Sequence, residues 1–210
     1  MSYVIAVILG VFSWTFLEYA IHNWVGHMLK GKTIFSKEHL KHHAVNGYFS
    51  PASKKALTAV MIMGIISPIA IAVVGVSVGL VYASGIVGMY LIYELVHRRA
   101  HTHAPRNAYA RWVRRNHFYH HYMKPKMNHG VTNPIWDIVF KTHAEPGVIR
   151  VPERFVMDWL CDENGEVKPQ YRDDYVLVPT GSKRAAARRQ SQDEIGHDTQ
   201  AAYAGEAPVA

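Results

Sequence analysis

From Ala56 to Tyr93 the chain reads ALTAVMIMGIISPIAIAVVGVSVGLVYASGIVGMYLIY, with no Asp, Glu, Lys or Arg anywhere in it. As one helix this run would measure roughly 57 Å at about 1.5 Å per residue. A hydrocarbon core is only about 30 Å thick, so the run has to cross it twice, out and back. Gly and Ser interrupt the apolar residues in VGVSVG, Val74 to Gly79, which is the expected turn; Pro68 in ISPIA is a kink or a rival break. Toward the N-terminus, Tyr3 to Ala20 forms another apolar block with the length of one span, relieved only by hydroxyls and Glu18. It lacks the basic start and small-residue cleavage site of a secretory leader, which favours a retained membrane helix. The expected fold is all-α, an integral membrane helical bundle of about three to four spans with a cytoplasmic helical cap.

The formal charge of +7 does not mark a nucleic-acid partner, because the basic residues flank the apolar blocks. Lys30, Lys32, Lys37, Lys41, Lys54 and Lys55 lie between the first block and the long run, and His97 to His129 carries eight Arg or Lys and no acid. The positive-inside rule assigns both segments to the cytoplasmic face, of an inner membrane in a bacterium or of the endoplasmic reticulum in a eukaryote. Parity agrees, since one inward helix and a two-span hairpin return the chain to the same side. Residues 1–150 are expected to form the membrane-embedded domain and 151–179 a soluble cap segment. Residues 180–210, small and polar, read as a disordered tail.

Fourteen histidines stand in this chain, and most of them flank the spans. They form HNWVGH (His22, His27), HLKHH (His39, His42, His43), HRRAH (His97, His101) and HFYHH (His117, His120, His121). Residues three or four apart share a helix face, so His39 with His42 or His43, His97 with His101, and His117 with His120 or His121 can each aim two imidazoles at one point. His22 and His27, five apart, fit a helix end that unwinds. Ten imidazoles from four segments on one face suffice for two metal ions. With Cys161 the lone cysteine, a metal here has to be held by nitrogen and oxygen. Imidazole suits zinc, copper, iron and nickel alike. Glu18, four residues before His22, and Glu94, three before His97, are expected to hydrogen-bond the free ring N–H of those ligands. ELVH echoes the Glu-x-x-His of di-iron bundles, but that architecture needs two copies and only one is present.

The order and spacing of these boxes, with a double-span insert between the second and third, resemble the fatty acid hydroxylase and sterol desaturase superfamily of membrane di-metal oxygenases. HGVTNPIWDIVFKTH, His129 to His143, resembles that family's closing segment. The pattern is most similar to the fatty acid 2-hydroxylase branch, because both double-His boxes have the His-x-x-His-His form and the first box has four intervening residues. The resemblance implies metal-ligand roles for His22, His27, His39, His42, His43, His97, His101, His117, His120 and His121. It leaves His129 as a further ligand or a substrate-side polar group and adds Asp137 to Glu18 and Glu94 as a supporting acid. His103, His143 and His197 are assigned to structure or solvent.

The implied function is hydroxylation of a fatty acyl chain at a C–H bond by two iron ions and O2. Zinc lacks the redox chemistry and would be a substitute in purified protein. The substrate would enter from the bilayer. Electrons would come from a separate protein of cytochrome b5 or ferredoxin type, which the basic stretch RRNHFYHHYMKPK could attract if it is acidic. Trp14, Trp24, Trp112 and Trp136 are candidate interfacial anchors or pocket walls, and NPIWDIVF reads as a short amphipathic segment against the headgroups. A desaturase on the same scaffold, a metal carrier or sensor, and a metal-dependent hydrolase are the competing readings.

Overall fold

The computed structural model describes residues 2–45 and 47–180. Among the described residues, three helices are long and apolar enough to cross a membrane: Ser2–His27, Ala52–Val74 and Val76–Thr102. The first is α1 (Ser2–Ala20) running directly into a π-helical stretch, Ile21–His27; the others are α3 (Ala52–Val74) and α4 (Val76–Thr102). The hairpin turn is the single residue Gly75, at φ 83°. This left-handed backbone costs glycine little, and it falls inside the VGVSVG stretch. Pro68, by contrast, lies within α3 without ending it. In a bilayer, neighbouring helices and small local adjustments re-satisfy the carbonyl a proline frees, so the alternative break is not used.

Lipid tails are as apolar as leucine, so helices in a membrane associate through close packing of small residues. α1 and α4 show this at Gly10 and Gly85. A Cβ on Gly10 would lie 2.3 Å from the Tyr82 carbonyl oxygen, and one on Gly85 2.8 Å from that of Val7. Beside this crossing Trp14 packs between Tyr90 and Tyr93, ring centroids 5.2 and 5.7 Å away. It is therefore a core residue of the bundle and not an interfacial anchor. Outward, α1 and α3 expose Val4, Ile8, Leu57, Val60 and Ile69, the surface a lipid-facing helix requires.

Beyond the spans, α2 (Ile34–Ala44) starts at Thr33, whose hydroxyl accepts from Ser36 N at 3.1 Å. α5 (Ala108–Tyr122) starts at Asn107, whose side chain accepts from Ala110 N at 2.8 Å. α6 (Ile135–Val139) is a single short turn. The buried Arg114 guanidinium of α5 donates to the carbonyls of Arg99 (2.7 Å), His103 (2.9 Å) and Ala110 (2.7 Å). Trp159 Nε1 donates to His101 O at 3.2 Å. Carbonyls at a helix C-terminus have no partner within the helix, so these donors close the end of α4 and fix it against α5.

One element departs from an all-α fold. β1 (Ile149–Pro152) and β2 (Tyr175–Val178) pair in parallel, Ile149 opposite Tyr175. The little sheet is held by a separate core in which Phe118 and Tyr122 of α5 meet Ile149, Val151, Phe155, Trp159 and Leu160. The tail beyond Thr180, with His197, lies outside the described residues.

Candidate metal centre

The ten box histidines converge at one end of the bundle in two groups of five. His22, His27, His39, His43 and His120 form one; His42, His97, His101, His117 and His121 form the other. Within each group the nearest ring nitrogens all lie within 4.8 Å of one another. Each double-His pair is shared out, one imidazole to each group, because adjacent helical residues point about 100° apart. Where α2, α4 and α5 supply two rings to one group, the pair is four residues apart: 39 and 43, 97 and 101, 117 and 121. The groups touch where the rings of His43 and His121 stack, centroids 4.0 Å apart.

His22 and His27 reach a common group by a different route from the one their spacing suggested. The helix widens instead of unwinding, and Met28 N donates to Asn23 O at 3.0 Å, an i→i+5 bond. In a π-helix residues five apart therefore lie nearly above one another. HNWVGH thus does in a π-helix what HRRAH does in an α-helix.

The ring orientations are set by backbone carbonyls. Nδ1 of His22 faces His129 O (2.5 Å), Nδ1 of His42 faces Tyr48 O (2.8 Å) and Nδ1 of His120 faces Met127 O (2.8 Å). A carbonyl only accepts, so Nδ1 carries the proton and Nε2 presents a bare lone pair. Yet His120 Nε2 lies 3.0 Å from Nε2 of both His22 and His27, and 3.2 Å from that of His43. In the other group His97 meets His42, and His101 meets His117, at 2.9 Å between Nε2 atoms. The lone pairs of His22 and His120, both fixed by carbonyls, repel one another at this distance unless a cation lies between them. Nitrogens held about 2.0–2.1 Å from a shared ion, at right angles, would sit about 3 Å apart, as these do. The donor set therefore fits one metal ion in each group.

The acids sit differently from expectation. Glu18, fully inside the bundle, accepts from the backbone amides of Val131 (2.5 Å) and Thr132 (2.8 Å) and from the Thr132 hydroxyl, not from a ring N–H. An acceptor in a span serves wherever buried amides lack a partner, and the loop carrying His129 supplies two. Glu94 is ion-paired with Lys55. Asp137 accepts from the amides of His129 (2.9 Å) and Gly130 (2.7 Å) and lies 3.4 Å from His129 Nδ1. Although burial pushes its pKa up, these hydrogen bonds and that of Thr142 hold it below the ordinary carboxylate value. His129 is buried, its ring 5.3 Å from that of His120 and 5.5 Å from that of His22. His103 is exposed and His143 half-buried.

Sequence reasoning passed over Glu38. Its carboxylate accepts from Tyr48 (2.5 Å), Ser50 (2.8 Å) and Lys54 (2.6 Å), which secures the loop whose Tyr48 carbonyl orients His42. Burial raises its pKa, but these three donors outweigh burial and hold it at about 2. An acid one residue before a histidine box was the only signal available.

Burial, reinforced by neighbouring imidazoles, holds His39, His43, His117, His120 and His121 well below the ordinary imidazole range. Burial likewise brings His42 down to about 4 from 6.5, despite the Tyr48 carbonyl. The set is neutral at pH 7, the state a metal needs. The sign of the pH effect follows. Between about pH 4 and about pH 6.5 the unfolded chain binds more protons than the folded one, so stability falls as pH falls through that window and is fully present above it. Thermal melts of metal-free protein are expected to be flat from about pH 8 to about pH 7 and to drop toward about pH 5.

A membrane bundle that gathers ten imidazoles into two metal-competent groups at one end defines a class of integral membrane, histidine-box protein. The model of the fatty acid hydroxylase family matches residues 7–142, and the chain belongs to that family. It is 31% identical over 145 residues to the ceramide very long chain fatty acid hydroxylase scs7 of Schizosaccharomyces pombe, covering 65% of this chain and 42% of that one. It is 29% identical over 147 residues to a dihydroceramide fatty acyl 2-hydroxylase of Arabidopsis thaliana, covering 65% and 59%. The chain thus spans about half the length of these relatives. Among solved structures, the hydroxylase domain of full-length scs7p superposes with a TM-score of 0.53 at 23% identity, over 70% of this chain and 59% of that one. That likeness shows the fold.

Proposed function

We propose that this chain is a membrane di-iron oxygenase that hydroxylates a fatty acyl chain. The observation that carries the reading is the pair of five-imidazole groups at one end of the spans. Its relatives are named for 2-hydroxylation of fatty acyl groups and for hydroxylation of ceramide very long chain fatty acids, which supports a lipid acyl chain as substrate. His22, His27, His39, His43 and His120 would hold one iron, and His42, His97, His101, His117 and His121 the other. When bound, the ions would supply the activation of O2 and the oxidising power for C–H cleavage.

The chain's own contribution is arrangement. The carbonyls of His129, Tyr48 and Met127 keep three rings in the tautomer that offers Nε2, and Glu38, Glu18 and Asp137 secure the loops that carry those carbonyls. His129, buried beside the first group, serves as a polar group on the substrate side. Converting C–H to C–OH with O2 also releases water and consumes two electrons and two protons. A separate reductant protein of cytochrome b5 or ferredoxin type supplies the electrons. Lys and Arg around the histidine boxes support a cytoplasmic placement of the metal end, where such a protein would dock. Residues 1–150 act as the catalytic membrane unit, 151–179 as its cap.

The test is expression in cells under 18O2, followed by lipid extraction and metal analysis. The expected result is 18O-labelled 2-hydroxy fatty acids, absent from vector controls, and two irons per chain. New alkenes without labelled alcohol would replace the reading with a desaturase. Metal loading without any lipid change would replace it with a carrier or sensor.

A further inference from the structure

We infer that α6 is immersed in lipid: its outward residues Ile135, Ile138 and Val139 lie among the acyl chains of the leaflet on the histidine side, beside α1. This surface goes beyond the enzymatic reading and does not depend on it.

Depth is the first argument. α6 lies along the second half of the first span, its Trp136 end toward the middle and its Phe140 end beside Tyr19 and Trp24, at 5.0 and 5.7 Å between ring centroids. Trp136 Nε1 donates to Thr15 Oγ1 at 2.9 Å, and the Trp136 ring meets Phe12 and Phe16 at 6.0 and 4.9 Å between centroids. Thr15 precedes His22 by about 10 Å of helix axis at about 1.5 Å per residue. The Trp136 end of α6 therefore lies below the histidine level, alongside apolar helix. Interfacial helices reach about 5–10 Å into the boundary, and this end is at the deep end of that range.

Exposure is the second. Ile138 and Val139 are 58% and 57% exposed and continue the apolar surface of α1 through Phe12, itself 50% exposed. Lys141, directly after α6, is exposed and long enough to carry its ammonium back to the headgroups.

Backbone satisfaction is the third. Irregular backbone at membrane depth is tolerated only where every polar group is met within the protein. The amides of the loop leading into α6, and most of its carbonyls, meet that demand. From Asn128 to Thr132 every amide has an acceptor: Thr142 O for Asn128 at 2.8 Å, Asp137 for His129 and Gly130, and Glu18 for Val131 and Thr132. The carbonyls of His129, Gly130 and Thr132 accept from His22 Nδ1, Asn116 Nδ2 and Tyr109 Oη.

The full chain, with Cys161→Ser and a single nitroxide-labelled Ile138→Cys, would be reconstituted in phosphatidylcholine vesicles and its accessibility compared by electron paramagnetic resonance. O2 concentrates in acyl chains and a nickel chelate in water. The inference expects O2 to relax the label severalfold more than the nickel chelate, as at a Val60→Cys control on α3. A response like that of Glu163→Cys, in the exposed cap, would overturn it. So would shielding from both reagents, which would mean that protein covers α6. Val139→Cys repeats the measurement should Ile138→Cys fail to fold. Lipid oxidation is not read, so failure of the enzymatic reading leaves this result standing.

Discussion

His120→Ala is expected to leave no more than one metal ion per chain and to reduce lipid hydroxylation by more than about 100-fold, beyond the 10–100-fold usual for losing a group behind a ligand. His120 is fully buried. Its Nε2 is the meeting point of the first group, within 3.0–3.2 Å of three other Nε2 atoms, and its Nδ1 is fixed by the Met127 carbonyl. An alanine removes the nitrogen on which His22, His27 and His43 converge. His117→Ala, which strikes the other group through the 2.9 Å contact with His101, is expected to deplete the second ion and spare the first. Metal analysis of the two variants, with folding checked by thermal melts, measures this directly. Two ions retained by His120→Ala would remove that residue from the ligand set.

Glu18→Ala is the second large effect, on folding as well as on metal. The substitution deprives the Val131 and Thr132 amides and the Thr132 hydroxyl of their acceptor where water cannot replace it. At about 1–3 kcal/mol for each buried group left unsatisfied, the loss amounts to several kcal/mol. The same loop presents the His129 carbonyl to His22, so affinity for the first ion is expected to fall by about 10–100-fold. Glu18→Gln keeps one acceptor oxygen and should recover part of both losses. Denaturant unfolding in detergent and metal titration read the two effects separately. An alanine variant as stable as the parent would show that the loop does not depend on Glu18.

Both cases show how far the chemistry could be read along the chain. The boxes were visible because imidazoles three or four apart share a helix face wherever a helix forms. Glu18 was recognisable as costly and therefore useful, yet its partner lies more than a hundred residues away and is backbone, which bears no sequence signature. Glu94 illustrates the converse: the helical spacing that aimed it at His97 was sound, but Lys55 on the neighbouring span offers a stronger partner than a neutral ring. The parallel pairing of β1 with β2 was hidden for a similar reason, since two four-residue strands become a sheet only when α5 supplies an apolar floor.

By itself the sequence determined the apolar spans, the VGVSVG stretch in which the long pair turns, and which ten imidazoles come together. Charge, hydropathy and helical period act over a few neighbours and survive any later packing. Only the tertiary structure decided how those imidazoles divide into two fives, that HNWVGH is wound as a π-helix, and that the buried acids serve loops and not rings. Those outcomes depend on the separation and rotation of helices brought together from distant parts of the chain, where the need to pair every buried amide selects one arrangement.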